Sequence, residues 1–394
     1  MKPLLLSVLP RPAHPTRDGL AIRNYHLLAA LAQEFRVAGF ALLPPHLRGT
    51  GEYPAGVEIE EIPHASRIAR RAAAVAGSVV SGRAYPPLLY RSGALEARLQ
   101  ERVRRERPAW AVAHSYHVGE AALASGAPAW IDFHNVDSEI WRRMGQSASN
   151  PFARAFTRWQ AARVELVERG LLARAAGASC VSERDARAFG SFGAAAPLVV
   201  RNGVDLERYL FRPEPALEEV VSFVGDLAWP PNAEAIRWFC REIWPRILRL
   251  RPSARSEIRG RGTPRDLARS RPEGVALLGE TGDTRPFWGR AAVAVVPLRA
   301  GGGTRLKILE AAACGVPVVS TVVGAEGLGF ADGIEILLRD DAESFARAVA
   351  ALLSDPETRR RQAAAARARV ERGFAWREIA SAFARELLRR RQAA

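Results

Sequence analysis

Short apolar runs alternate with amphipathic stretches along almost the whole chain, and this alternation limits the fold more than any other feature. Leu4–Leu9, Trp110–Ala113 and Val293–Val296 are apolar at nearly every position, as strands covered on both faces must be. The stretch Asp18–Gln33 instead repeats Ile22, Leu27, Leu28 and Leu31 at helical spacing. Buried strands separated by helices build a parallel sheet. The first series predicts strands at Leu4–Leu9, Val37–Leu43, Val57–Ile62, Trp110–Ala113, Ala129–Phe133, Ala178–Val181 and Leu198–Val200. Helices are predicted over Asp18–Gln33, Leu95–Arg107 and Phe152–Ala175. Beyond the proline- and acid-rich segment Leu210–Glu219, strands are predicted at Val220–Val224, Ser256–Arg259, Val275–Leu278, Val293–Val296, Val316–Ser320 and Ile334–Leu338. Helices fill Asn232–Leu250 and Leu306–Cys314, and the chain turns fully helical after Asp340. At 394 residues it exceeds one ordinary core. The fold class expected is α/β, with two Rossmann-like, doubly wound parallel-sheet domains over residues 1–198 and 199–374. Ligands of such sheets collect at the carboxyl ends of the strands, so two domains facing across a cleft would share one site.

Composition narrows the class of partner. Hydrophobic residues make up 48% and charged residues 25%, which is globular rather than disordered. The net charge of +15 is carried almost wholly by arginine and favours anionic partners. Solubility charge combined with arginine-rich coding bias fits the same number. No finger spacing, aromatic-plus-basic motif or long basic tail points to nucleic acid. No apolar run approaches the roughly 18–20 residues of a membrane span. Leu4–Leu9 is short and stops at Pro10, so it reads as a first strand and not a signal peptide. Cys180, Cys240 and Cys314 have no metal or disulfide spacing, and a reducing cytoplasm is expected.

The strongest local signal follows the strand Val293–Val296. Three glycines, Gly301, Gly302 and Gly303, let backbone approach a ligand closely, and Thr304 and Arg305 lead into a helix opening at Leu306. Unpaired amides of a first helical turn favour an anion, and Arg305 and Lys307 add positive charge beside them. Thr304 is the expected N-cap. Glu310 stands one turn beyond Lys307 and can accept from two neighbouring hydroxyls, as a ribose presents them. The same residues also fit a glycine turn before an ordinary helix with Glu310 paired to Lys307. No Gly-Lys-Ser/Thr follows the loop, and no Gly-x-Gly-x-x-Gly follows the first strand. A Walker-type loop and a nicotinamide or flavin site are therefore disfavoured.

Gly302-Gly-Thr-Arg-Leu-Lys-Ile-Leu-Glu-Ala-Ala-Ala-Cys-Gly-Val-Pro-Val-Val-Ser-Thr321 resembles the signature of glycosyltransferase family 4. Val200-Arg-Asn-Gly-Val-Asp205 is similar to the segment opening that family's C-terminal domain, and Phe223–Asn232 to its first strand and loop. Gly324-Ala-Glu-Gly327 resembles a later donor-side loop, Arg11–Arg23 with Asp18-Gly19 the loop after the first strand, and Phe374-Ala-Trp376 the start of a closing helix. The resemblance spans nearly the whole chain and is weakest over residues 44–110. It implies the GT-B fold, with a helix of about 375–394 returning to the N-terminal domain. It implies retaining, metal-independent transfer from a nucleotide-sugar donor, with no separate cofactor, to a glycan or polyprenyl-linked acceptor in cell-surface or exopolysaccharide assembly. The sequence has no Asp-x-Asp or clustered His/Cys set of the kind that holds a cation.

Residue roles carried by the resemblance are a diphosphate cradle at Gly301–Leu306, leaving-group charge met by Lys307 and Arg305, and a ribose contact at Glu310. Gly19, Arg201 and Asn232 are further donor-side candidates. His134, closing the strand in Asp132-Phe-His-Asn-Val-Asp-Ser-Glu139, matches a family histidine that orients sugar hydroxyls, although a lone histidine also serves as a structural hydrogen-bonder. His114, His117 and Asp283 are weaker candidates, Asp283 reading equally as a turn cap. The sequence departs from the pattern in two places. Trp229 and Asn232 stand in the loop where the family often has arginine and lysine, and Gly302 stands where it has its first glutamate. A catalytically silent nucleotide-sugar binder, or a hydrolase or epimerase of the same fold, is the alternative. The basic stretch Ser66–Arg83 fits either peripheral contact with an anionic membrane, on the inner face of the plasma membrane, or an ordinary exposed helix.

Overall fold

The computed structural model describes the chain except for residues 1, 15, 17, 45–51, 65–66, 148–149, 194, 215, 302–303 and 394. Its contacts divide into two units, Met1–Arg201 with Arg377–Ala394, and Asn202–Trp376.

The first unit opens with β1 (Leu4–Leu9), α1 (Gly19–Glu34), β2 (Arg36–Leu43) and β3 (Val57–Pro63). Three helices follow, α2 (Arg67–Ser81), α3 (Tyr85–Tyr90) and α4 (Gly93–Glu106), before β4 (Trp110–Ala113), α5 (Gly119–Ala124) and β5 (Ala129–Asp132). The unit continues through α6 (Asp137–Ser147), α7 (Pro151–Arg174), β6 (Gly177–Cys180), α8 (Glu183–Gly190) and β7 (Leu198–Val199). Its strands are parallel in the order β3-β2-β1-β4-β5-β6-β7, with β1 near the centre. That order reverses between β1 and β4, which creates a switch point where helices leave to opposite faces. Side chains of β1 and β4 are buried on both faces, so the apolar runs read in the sequence are the sheet's centre.

The second unit repeats the plan with β8 (Val220–Val224), α9 (Pro230–Trp238), α10 (Trp244–Leu250), β9 (Arg255–Arg259), α11 (Arg265–Arg269) and β10 (Val275–Leu277). Then come α12 (Arg285–Trp288), β11 (Val293–Val296), α13 (Leu306–Cys314), β12 (Val318–Ser320), β13 (Leu337–Leu338), α14 (Ala342–Ser354) and α15 (Pro356–Gly373). Its parallel sheet runs β10-β9-β8-β11-β12-β13. The last helix, α16 (Trp376–Ala393), lies from Arg377 onward with the first unit, where Trp110 Nε1 donates to Leu387 O at 3.1 Å.

Two expected elements differ for physical reasons. The helix expected over Asn232–Leu250 is interrupted by a π-turn at Phe239–Ile243, where the Trp244 N–H reaches back to Phe239 O. Pro245 brings no N–H and would crowd the carbonyl one turn earlier, and the wider turn relieves it. The strand expected from Val316 starts only at Val318, because Pro317 cannot donate to the ladder. In the first unit, helices α3, α5, α6 and α8 are additional to the expected set. Among the described residues no helix is long and apolar enough to cross a membrane, and Cys180, Cys240 and Cys314 are free and buried.

Helix α6 is held by a carboxylate from another helix. Glu168 of α7 is fully buried, and its Oε1 accepts from the Asp137 N–H at 2.7 Å and the Ser138 N–H at 3.3 Å. Burial raises this carboxyl to about 7, against the hydrogen bonds that favour its anion. A carboxyl raised in the folded state binds more protons than in the unfolded chain, so this group's stabilisation is full below pH 4.5 and is lost as pH rises to about 7. Glu168→Gln keeps a carbonyl acceptor for both amides and cannot ionise. Denaturant melts should find the variant more stable than wild type above about pH 7, by roughly 2–4 kcal/mol, with the gap closing toward pH 4.5. Equal stability of the two proteins at every pH would contradict this.

Candidate functional site

In the second unit, strand β8 delivers Phe223 and Val224 to the sheet's carboxyl edge, where Gly225 begins the loop. Lys307, in the first turn of α13, reaches back to this edge. Its Nζ stands 3.9 Å from the centre of the fully buried Phe223 ring and donates to Asn232 Oδ1 at 3.1 Å. Asn232 is itself turned by its Nδ2 donating to Asp226 O at 2.9 Å. A Cβ at residue 225 would stand 2.6 Å from Lys307 Nζ and 2.9 Å from Asn232 Nδ2, so the ammonium occupies space that only glycine leaves open. Lys307 keeps part of its surface accessible, yet desolvation pushes its ammonium well below the usual lysine range. Arg305 pushes the same way and Glu310 opposes. A lysine held this way gains most from an arriving anion.

Gly301 approaches the same place with φ +122°. A side chain there would meet Trp229 Cη2 at 2.8 Å and Arg305 Nη2 at 2.9 Å. Arg305 is buried, its guanidinium 5.8 Å from the Trp229 ring centre. Arg305, rather than Thr304, is the cap residue of α13, and its side chain makes no capping hydrogen bond. The expected Thr304 cap is therefore corrected: the chain at 304 is still one residue short of the cap position. Leu306 opens the helix as expected. Gly302 and Gly303, expected in the diphosphate cradle, lie outside the described residues.

Glu310 does not pair with Lys307 in a hydrogen bond. Its Oε2 accepts from Thr284 Oγ1 and Trp288 Nε1, both at 3.1 Å, and the Tyr209 hydroxyl lies 2.9 Å from that threonine oxygen. Burial raises this carboxyl above its ordinary value while Trp288 and Thr284 counter it. One oxygen of the expected ribose contact is thus already built into the fold. Sequence reasoning missed Tyr209, Thr284 and Trp288, which carry no motif. Asp283 accepts from the Arg285 N–H at 3.0 Å and pairs with its guanidinium, the turn-cap arrangement.

The first unit carries a second polar cluster at its sheet's carboxyl edge. Asp132 ends β5, and its two oxygens take a fork from Arg23 of α1, Nε at 2.8 Å and Nη2 at 2.7 Å. Both side chains are fully buried. Ser179 Oγ donates to Asp132 Oδ1 at 2.7 Å, and Arg23 Nη1 also donates to Val200 O at 2.8 Å. Taking one partner from such a pair costs about 3–5 kcal/mol, because the other charge is left buried. His134 rests on this base: its Nε2 lies 3.3 Å from Asp132 Oδ2, with 13% of the side chain exposed. Arg23 and then His134 hold Asp132 far below the ordinary carboxylate range despite its burial. His114 and His117 stand nearby, and burial lowers them to about 4 and about 3, so both are neutral near pH 7. Gly19 is the first residue of α1, behind an Asp18 cap that accepts from the Ala21 N–H. Arg201 belongs to this first unit, and its guanidinium pairs with Glu183 at 3.1 Å.

Among the described residues no group of three or more His, Cys, Asp or Glu is arranged to hold a metal ion. The family model Glycosyltransferase Family 4 matches residues 17–208, and the model Glycosyl transferases group 1 matches residues 218–355. Glycogen synthase of Mycobacterium tuberculosis is 33% identical over 213 residues, 50% of this chain and 49% of that protein. The chain thus spans about half the length of these curated relatives. Among solved structures, sucrose-phosphate synthase from Thermosynechococcus elongatus shares the fold with a TM-score of 0.75 at 18% identity, covering 100% of both chains. Anabaena Alr3699/HepE, solved with UDP and glucose, gives 0.66 at 13% identity over 97% of this chain and 98% of that one. With a glycosyltransferase model matched in each half and that architecture shared end to end, the chain belongs to the GT-B glycosyltransferases, its N-terminal half to family 4.

Proposed function

We propose that the chain transfers a sugar from a nucleoside-diphosphate sugar to a glycan or lipid-linked acceptor, with retention of configuration and without a metal. The observation that carries this reading is the Lys307 ammonium, set on Phe223 beside the opening of α13 with Arg305 and Gly301 around it. A diphosphate brought there meets two side-chain cations and the first-turn amides of a helix. We assign leaving-group charge to these groups, and ribose hydroxyls to Glu310. The bond from the anomeric carbon to the phosphate oxygen breaks as the acceptor oxygen bonds on the same face. The acceptor proton passes to the departing phosphate oxygen. His134, stationed by Asp132, orients sugar hydroxyls and transfers no proton. UDP is the nucleotide to try first, because HepE was solved with it. We place the reaction in cell-surface or exopolysaccharide assembly, at the cytoplasmic face of the membrane.

A second reading, a nucleotide-sugar binder that does not transfer, is favoured by Gly302 at the position of the family's first glutamate. Sugar release with and without acceptor separates transfer, hydrolysis and silence.

Two predictions follow from the assignments. Anion binding favours charged Lys307, so titration calorimetry in buffers of differing ionisation enthalpy should find proton uptake with UDP above neutral pH. Lys307→Met should abolish the uptake and weaken UDP by about 10–100-fold, the loss of one charge-assisted hydrogen bond. Unchanged affinity and no proton linkage in either protein would remove Lys307 from the site. His134→Ala should slow transfer by about a hundredfold, through misplacement of the sugar, while leaving UDP affinity as in wild type. A matching loss of UDP affinity would show that the histidine acts on the nucleotide or the fold instead.

A further inference from the structure

Two donors converge on one oxygen of Glu310. Thr284 Oγ1 and Trp288 Nε1 each stand 3.1 Å from Oε2, and neither bonds to Oε1. A carboxylate oxygen offers about two lone-pair sites, so these donors fill Oε2. The torsion that turns a glutamate's carboxylate is broad by itself and selects no plane. Here the plane is selected from outside, by the cap residue and the last residue of α12. A carboxylate kept for structure alone has both of its oxygens met. In Glu310 the two donors crowd one oxygen, and 9% of the residue stays accessible.

The surrounding chain gives up ordinary uses of these groups to make the clamp. Thr284 holds the N-cap position of α12, where a threonine hydroxyl usually accepts from a first-turn amide, yet its side chain makes no capping hydrogen bond. The hydroxyl is turned to Glu310 instead. Its single proton goes to Oε2, so the Tyr209 hydroxyl, 2.9 Å away, is the donor to the threonine oxygen. Tyr209 is fixed in turn: its N–H donates to Asp205 O at 2.8 Å, and its carbonyl accepts from Arg367 Nη1 at 3.0 Å. Trp288 is fully buried and gives the one N–H of its indole to the carboxylate. Groups from the segment before β8 and from both ends of α12 thus aim one atom of α13.

We propose that Thr284 and Trp288, backed by Tyr209, are positioning residues that fill Oε2 so that both hydroxyls of the donor's ribose fall to Oε1 of Glu310. The inference rests on the donor-site reading and adds the groups that set its selectivity for ribose. Titration calorimetry on the full chain compares UDP with 2′,3′-dideoxy-UDP, which lacks both hydroxyls. Wild type should prefer UDP by about tenfold or more, as hydrogen bonds to a charged group require. Thr284→Val and Trp288→Phe should each narrow that preference by at least about threefold and leave dideoxy-UDP affinity as in wild type. Thr284→Val keeps the side-chain shape at a half-buried position, so it stays readable if the buried Trp288→Phe loses stability. Thr284→Ser retains the hydroxyl and should retain the preference. Acidity gives a second readout. Burial raises the Glu310 carboxyl while Trp288 and Thr284 counter it, and Lys307, Cys314 and Tyr209 are the other titratable groups facing it. Losing a donor moves protonation to higher pH, so on acidification the preference for UDP should fade earlier in Thr284→Val than in wild type. Equal weakening of both nucleotides would make the two residues merely structural and overturn the proposal. So would a wild-type preference with a wild-type pH profile in both variants. Wild type failing to bind UDP, or binding both nucleotides equally, would instead overturn the ribose assignment of Glu310, and the clamp with it.

Discussion

The donor site we propose depends on a lysine largely desolvated before any ligand arrives. Lys307 lies on the Phe223 ring, is steered by Asn232, and fits only because residue 225 carries no side chain. Each of these parts comes from β8, from the loop and helix α9 that follow it, or from the helix after β11, the two strands being central in the sheet. The parallel fold therefore does two things at once. It buries Val293–Val296 and Val220–Val224, and it aims the loops after them at one place. Desolvation makes the unbound ammonium costly, and under the proposal a diphosphate would relieve that cost. This is electrostatic preorganisation, with the reorganisation made during folding and not during reaction.

The first unit uses the same edge differently. Its charges are satisfied internally: Asp132 is saturated by Arg23 and Ser179, and what projects from this base is the ring of His134. A buried pair of this kind contributes little net stability but fixes geometry, since any displaced member leaves its partner unpaired. Arg23 extends that order to Val200 O, where the chain is about to leave the unit. The polar cluster thus holds a helix, two strands and the exit segment together.

Much of this was legible in the sequence because parallel strands buried on both faces announce themselves as apolar runs. Trp110–Ala113, Val220–Val224 and Val293–Val296 have the bounds expected of them, and so does Leu306–Cys314. What escaped was set by contacts distant along the chain. Arg23 and Asp132 are 109 positions apart, and the donors to Glu310 come from 22 and 26 positions before it. Nothing local marks Trp288 or Thr284 as partners of a carboxylate. The Thr304 cap failed for a different reason: capping preference ranks residue types, but the turn's path put Arg305 at the cap position. The π-turn ahead of Pro245 was predictable in kind, since proline inside a helix must displace something.

A crystal structure of the protein grown with saturating UDP tests the central claim most directly. The account predicts diphosphate density within hydrogen-bonding distance of Lys307 Nζ and the first amides of α13, with a ribose hydroxyl on Glu310. UDP bound at another place, or an empty Lys307 pocket at saturation, would contradict it.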